Sequence, residues 1–349
     1  HGKFGILHLC PRFGKIRTTI HILNHFDEPN ILIAYPDNKI KQSWIDEFEL
    51  MDYQNDNVTY TTHRSLSKHI DSWDIVIIDE IHLLSPAQRK TCDELFALND
   101  RVLGLTGTLS KWTRRDLRME LGIEVIADYS IHKAIEEEVI TDYQITVVKV
   151  PLDNVEIQKY TKKNIRKTEL QQFKFLSGMI NKMMYTGANT MFHRLARMRI
   201  IQNSVAKLNM TKTILRENPT ERILVFCGIT RIADDLGIPS YHSKSKDKES
   251  LKRFAEGEGN HMAVVKIGNT GVTYKPLNKV IINYFDSNAE NLAQKINRCM
   301  AMEYDTPDKK SQIYIISSDQ EVEGRWLKKA LEFFDESKIK YVKNSYICN

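Results

Sequence analysis

"WDIVIIDEIH", residues 73 to 82, is an apolar, β-branched run that ends abruptly in charge. Ile75 to Ile78 show no polar alternation, so the segment reads as a strand buried on both faces, as in a parallel sheet covered by helices. Asp79 and Glu80 then stand at the carboxyl end of that strand, where ligands bind in open α/β sheets.

Working outward, short apolar runs alternate with helical patterns. Upstream come "FGILHLC" (4 to 10), "NILIAYP" (30 to 36) and "NVTYTTH" (57 to 63), with amphipathic stretches between them; downstream comes "RVLGLTGT" (101 to 108). The pattern predicts a parallel sheet with helices on both faces. From about 130 to 150 it gives way to a polar and β-branched run, "DYQITVVKVPL", ending near Pro151. A basic helical segment follows, in which Met191, Leu195, Met198, Val205 and Leu208 fall close to one stripe. Alternation resumes at "ERILVFCG" (221 to 228) and continues to a helix around Val322 to Phe334. The fold expected is therefore α/β, with two parallel-sheet units joined by a basic helical connector.

Composition narrows the partners. The 349 residues carry a net charge of +5, but residues 157 to 216 hold thirteen Lys or Arg against one acid, Glu169, giving +12 there and −7 elsewhere. Such a block points to a polyanion. The five cysteines are scattered and never spaced C-x-x-C, which argues against a disulfide framework or zinc module and for a reducing, cytoplasmic setting. No apolar run reaches the ~18 residues of a membrane span, so no membrane partner is expected, and no signal peptide is visible. His8, His21 and His25 read as ordinary helix histidines rather than metal ligands. Trp44, Trp73, Trp112 and Trp326 are isolated and read as packing residues.

The first strand runs into "LCPRFGKIRT" (9 to 18). A Walker A loop, G-x-x-x-x-G-K-[ST], cradles phosphates with backbone N–H groups, reaches them with its Lys, and holds Mg²⁺ with its hydroxyl. Gly14 and Lys15 are present, whereas Leu9 and Ile16 replace the first Gly and the hydroxyl residue. Beside a phosphate loop, the two carboxylates suit two tasks: one holds Mg²⁺, the other accepts a proton from an attacking water.

"DEIH" after "DIVII", followed by "GLTGT", resembles motifs II and III of superfamily 2 helicases of the DExH kind. "IAYP" (33 to 36) resembles motif Ia, "TTHRSL" (61 to 66) motif Ib, "ILVFCGIT" (223 to 230) motif IV, "IGNTGVTYKPLN" (267 to 278) motif V and "QKINRCM" (294 to 300) motif VI. The similarity spans nearly the whole chain and is nearest to phage and bacterial DNA helicases with a ResIII-type motor. It implies two RecA-like lobes, 1–145 and 205–349, a connector over 146–204, and ATP in the cleft between the lobes.

Carried over by position, the resemblance implies that Pro11, Arg12, Phe13, Gly14, Lys15, Ile16 and Gly271 bind ATP, with Lys15 on the β/γ-phosphates. Asp79 would hold Mg²⁺, and Glu80 would orient and deprotonate water. Gln294 and Arg298 would face the γ-phosphate, while His82, Thr106, Gly107 and Thr108 would couple the nucleotide to lobe closure. Nucleic acid, with DNA favoured over RNA, would meet Pro36, His63 and Arg64 in the first lobe. Lys162, Lys163, Arg166, Lys167, Arg194, Arg197 and Arg199 would clamp it from the connector. Three departures stand out. Ile16 lacks the hydroxyl, Ala301 occupies the position of the second motif VI arginine, and only eight residues precede Leu9, too few for the adenine-recognising segment. The activity implied is an ATP-dependent DNA helicase. The alternatives are a duplex translocase that does not unwind, or a nucleic-acid-binding protein whose ATPase has decayed.

Overall fold

The computed structural model describes residues 4–155, 157–159, 166–265, 274, 277–300 and 310–343. Lys162, Lys163, Gly271, Ala301 and most of motif V lie outside the described residues. The chain divides into two compact units between Thr141 and Asp142.

In the first unit the elements follow in the order β1 (Phe4–Leu9), α1 (Lys15–Leu23), β2 (Ile31–Tyr35), α2 (Lys39–Leu50), β3 (Val58–Thr62), β4 (Ile75–Ile78), α3 (Pro86–Ala97), β5 (Val102–Thr106), α4 (Lys111–Leu121), β6 (Val125–Tyr129) and α5 (Ile131–Glu136). The sheet order is β3-β2-β4-β5-β1-β6, and every pairing is parallel. The lack of polar alternation in β4 has a direct cause. Ile75 and Ile77 pack with Ile20, Leu23 and Trp44 on one face, while Val76 and Ile78 pack with Cys92, Leu95 and Leu117 on the other. Both faces are covered, so every position in the strand favours an apolar side chain.

The second unit comprises β7 (Asp142–Val150), β8 (Gln158–Lys159), β9 (Arg166–Lys167), α6 (Glu169–Tyr185), α7 (Met191–Gln202), α8 (Val205–Glu217), β10 (Ile223–Cys227), α9 (Thr230–Asp235), β11 (Ser240–Tyr241), α10 (Ser250–Glu256), β12 (His261–Val265), β13 (Lys279–Ile282), α11 (Ala289–Ile296), β14 (Lys310–Ser318), α12 (Glu321–Ala330) and β15 (Ile339–Lys343). Its sheet runs β11-β12-β10-β13-β14-β7-β15, again wholly parallel. The polar and β-branched run at 142–150 is thus a strand of the second sheet, held between β14 and β15, although sequence placed residues 142 to 145 in the first lobe. β8 and β9 form a separate antiparallel pair.

The basic segment folds mainly as the α6–α7 hairpin and α8. Thr168 caps α6 and forms a capping box with Gln171. Glu169, the lone acid of the segment, is 1% exposed. Its carboxylate accepts hydrogen bonds from Ser204 Oγ at 3.0 Å, Val205 N at 2.6 Å and Asp153 N at 3.1 Å. The charge therefore sits at the N-terminus of α8, where the helix dipole favours an anion.

Candidate active site

Three strand ends of the first sheet supply the site. After β1 the chain turns through Pro11 to Gly14, with Phe13 N donating to Cys10 O at 3.2 Å. Arg12 has φ 75° and Gly14 φ 90°. At Gly14 a side chain would have room but not the backbone conformation, so glycine suits the entry to α1 for torsional reasons. Phe13 packs on Tyr129 at the end of β6, with ring centroids 4.3 Å apart. The turn after β5 closes on this loop, because a Cβ at Gly107 would lie 3.1 Å from Pro11 Cγ. Helix α1 begins with no side-chain cap and no acid in its first turn.

Lys15 donates to Glu80 Oε1 from the start of α1. Burial works to lower the Lys15 pKa, but the carboxylates of Glu80 and Asp79 outweigh it and hold the ammonium charged. Glu80 is ionised in turn: burial works against its charge, and the Lys15 ammonium, with a hydrogen bond from the Gly107 backbone, overcomes it. Asp79, only 4% exposed, is pushed up to about 6 by burial and by Glu80, against the pull of Lys15. Its Oδ2 accepts from Trp44 Nε1 at 3.2 Å, and its Oδ1 from the Glu80 backbone N at 2.9 Å.

The backbone at Glu80 adopts φ 48°, ψ 48°, the left-handed region. That conformation turns the chain sharply after β4, so Asp79 points toward Trp44 while Glu80 reaches Lys15. His82 Nδ1 lies 2.8 Å from Thr106 Oγ1 and 3.4 Å from Glu80 Oε2. The Thr106 hydroxyl donates to the Thr108 carbonyl at 2.7 Å, so it can only accept from His82. The imidazole is therefore the Nδ1–H tautomer, and burial keeps it neutral with a pKa of about 4. Acidic pair, His82 and the Thr106–Thr108 turn form one hydrogen-bonded assembly.

Other sequence candidates sit elsewhere. His63 is 3% exposed and its Nε2 lies 2.9 Å from the Asp79 carbonyl O, so it supports the acidic turn from below and offers no surface to a polynucleotide. Pro36 is half-buried and Arg64 exposed. In the second unit, Gln294 and Arg298 are half-buried on and just beyond α11. Asn297, between Gln294 and Arg298, is buried with neither end of its amide bonded. Arg166, Arg194 and Arg199 are exposed, whereas Lys167 lies over the Phe175 ring at 3.8 Å. Arg197 is half-buried, donates to Ser177 Oγ at 3.2 Å and covers the Phe173 ring, so it braces the hairpin.

Sequence reasoning missed Trp44 as a partner of Asp79, and no local signal announces a bond made across 35 positions. Among the described residues no group of three or more His, Cys, Asp or Glu is placed to hold a metal ion. No described helix is long and apolar enough to cross a membrane.

The whole fold has known likenesses among solved structures. The chain is similar to the helicase domain of Pyrococcus furiosus Hef, with a TM-score of 0.55 and 12% identity over 95% of both chains. It is also similar to S. cerevisiae Dbp5 bound to RNA and ADP BeF3, with a TM-score of 0.60 and 9% identity over 97% of this chain and 85% of that one. A substituted form of Dbp5 with the same ligands gives 0.62 and 10% over 98% and 85%. No protein-family model matches the sequence, and no curated protein matches it. At these identities the likeness is one of fold: two parallel-sheet α/β units of the RecA-like kind found in helicase domains.

Proposed function

We propose that the chain is an ATP-dependent nucleic-acid motor of the DExH kind, acting on DNA. The observation that carries the reading is the convergence of Lys15, Asp79 and Glu80 at one end of a parallel sheet, beside an uncapped helix N-terminus. The leading N–H groups of such a helix attract phosphate, and Lys15 adds a fixed positive charge.

The site fits the triphosphate of ATP. Phosphate oxygens would take Lys15 from Glu80, and Gly14 would let the backbone approach them. Asp79 would hold Mg²⁺, which ordinarily needs only one or two carboxylates besides phosphates and water. When bound, the metal would neutralise charge developing on the phosphates. Glu80, released from Lys15, would accept a proton from the attacking water. His82, donating to Thr106 and close to Glu80, would report the state of that carboxylate to the turn after β5.

Ile16 cannot ligate metal; its side chain packs into the cluster around Ile20, Ile33 and Ile77. The hydroxyls of Thr18 and Thr19 are turned back along α1, to Gly14 O at 3.2 Å and Lys15 O at 2.9 Å. This missing ligand favours the second reading, a nucleic-acid-binding protein without turnover. A duplex translocase is the third.

ATP hydrolysis measured alone and with single-stranded DNA, duplex, forked DNA or RNA separates these readings. Lys15→Ala should lose nucleotide binding. Glu80→Gln should bind ATP and lose roughly 10²- to 10⁴-fold in turnover. A parent protein that binds nucleic acid without hydrolysing ATP would establish the second reading; equal hydrolysis by parent and both variants would refute the assigned site.

A further inference from the structure

The α6–α7 hairpin is packed at one end and bare at the other. At its base Phe173, Leu176, Ile200 and Ile201 form a cluster with Leu152, joined by Val322 and Trp326 of α12. At its tip Met184 is 57% exposed, Tyr185 93%, Met191 65% and Phe192 75%. These four side chains flank the turn 186–190, where Gly187 takes φ +65°. With 17 residues, α6 is about 25 Å long, enough to carry the tip well clear of the base. Two aromatic rings and two thioethers gathered at a projecting end mark a contact surface.

The surrounding charge identifies what is contacted. Lys182 and Arg194 are exposed beside the tip, and Arg194 Nη2 lies 3.7 Å from Met184 Sδ. Lys174 and Arg199 are exposed farther along, and the hairpin's one carboxylate, Glu169, is buried. An occupant must therefore offer flat apolar faces and regularly placed negative charge together. Duplex nucleic acid presents the charge and hides the faces; a single strand presents both.

We infer that the tip of the α6–α7 hairpin is a stacking platform for unpaired bases of a single-stranded polynucleotide. Tyr185 and Phe192 supply the ring faces, and Lys182 and Arg194 hold adjacent phosphates. The inference rests on the nucleic-acid reading above and adds to it the substrate class, a strand whose bases are exposed.

The test uses the full chain with a single-stranded DNA oligonucleotide containing 2-aminopurine, the matching blunt duplex, and phosphatidylserine vesicles. The parent should bind the single strand and change the 2-aminopurine fluorescence as the base stacks. Tyr185→Ala and Phe192→Ala should each weaken single-strand binding by roughly 5- to 150-fold, the worth of one base–ring stack, and abolish the fluorescence change. Duplex binding should be unchanged. Tyr185→Phe and Phe192→Trp should retain the parent signal, which separates stacking from a loss of fold. If the parent binds the strand and both alanine variants bind it equally well, the tip proposal is overturned and the motor reading stands. A parent that binds no nucleic acid overturns both. Alanine variants that lose vesicle binding while keeping strand binding make the tip a lipid-contacting surface, and the proposal fails.

Discussion

Glu80 occupies a left-handed backbone conformation that L-residues adopt at a cost, and its neighbours hold it there: Lys15 on its carboxylate, Asp79 on its N–H, and His63 on the preceding carbonyl. His63 makes this support sensitive to acid. Burial lowers its pKa from 6.5 to about 4, so below about pH 6.5 the unfolded chain takes a proton that the folded chain refuses. Stability from this residue is present at neutral pH and is lost as pH falls toward 4, by up to about 3 kcal/mol. Asp79, whose pKa is raised, works in the opposite sense and is common to parent and variant. His63→Gln should therefore be less stable than the parent near neutrality, and the gap in denaturation midpoints should narrow or reverse in acid. Ile16→Thr tests the metal geometry, because a restored hydroxyl should lower the Mg²⁺ concentration giving half-maximal ATPase. The placement of Lys15 after β1 and of Asp79 and Glu80 after β4 was legible in sequence, because an unbroken apolar run that stops at a charged residue marks where a doubly buried strand ends. Trp44 and His63 were not, because a supporting bond depends on which face of a distant element meets the turn.

Helix α8 joins the basic segment to the second sheet through a buried ion pair. Lys207 Nζ lies 2.6 Å from Glu323 Oε1 on α12, with both side chains almost wholly inaccessible. Glu323 Oε2 accepts from Ser318 N at 2.6 Å, which fixes the end of β14 as well. Removing one partner leaves a buried charge uncompensated. Glu323→Ala should destabilise the second unit by about 3–5 kcal/mol, whereas the double change Lys207→Met with Glu323→Leu should restore most of it. Amide exchange in β14 measures both. Strands such as β4 and β10 were legible because double burial removes polar residues altogether. β7 was harder to assign, since Gln144 and Lys149 are exposed while Tyr143, Ile145 and Val147 are buried, and the strands on either side of it lie far along the chain. The stripe through Met191 and Leu195 was visible as periodicity, but period alone does not say whether a face is covered. At the hairpin tip it is not.

For the molecule as a whole, burial of Glu169 means that no carboxylate of residues 157 to 216 reaches solvent, and the segment's surface charge is wholly positive. Replacing Arg166, Lys182, Arg194 and Arg199 by Gln should flatten the dependence of log K on log salt. The slope should fall by about 0.7 per lost contact on single strands, or 0.9 on duplex. An unchanged slope would mean that nucleic acid is held by other surfaces. The order of strands in the two sheets has a different kind of consequence, for how the chain is made. All six strands of the first sheet lie between Phe4 and Tyr129, so that sheet is complete soon after its last strand leaves the ribosome. β7 follows directly, yet its neighbours are β14, whose register begins with Asp142 against Lys310, and β15, which ends at Lys343. Throughout the intervening synthesis β7 has two unpaired edges, each a template for another nascent chain. Crowded polysomes translating this message should aggregate through that strand, and slowing initiation, which spaces the ribosomes apart, should raise the soluble yield.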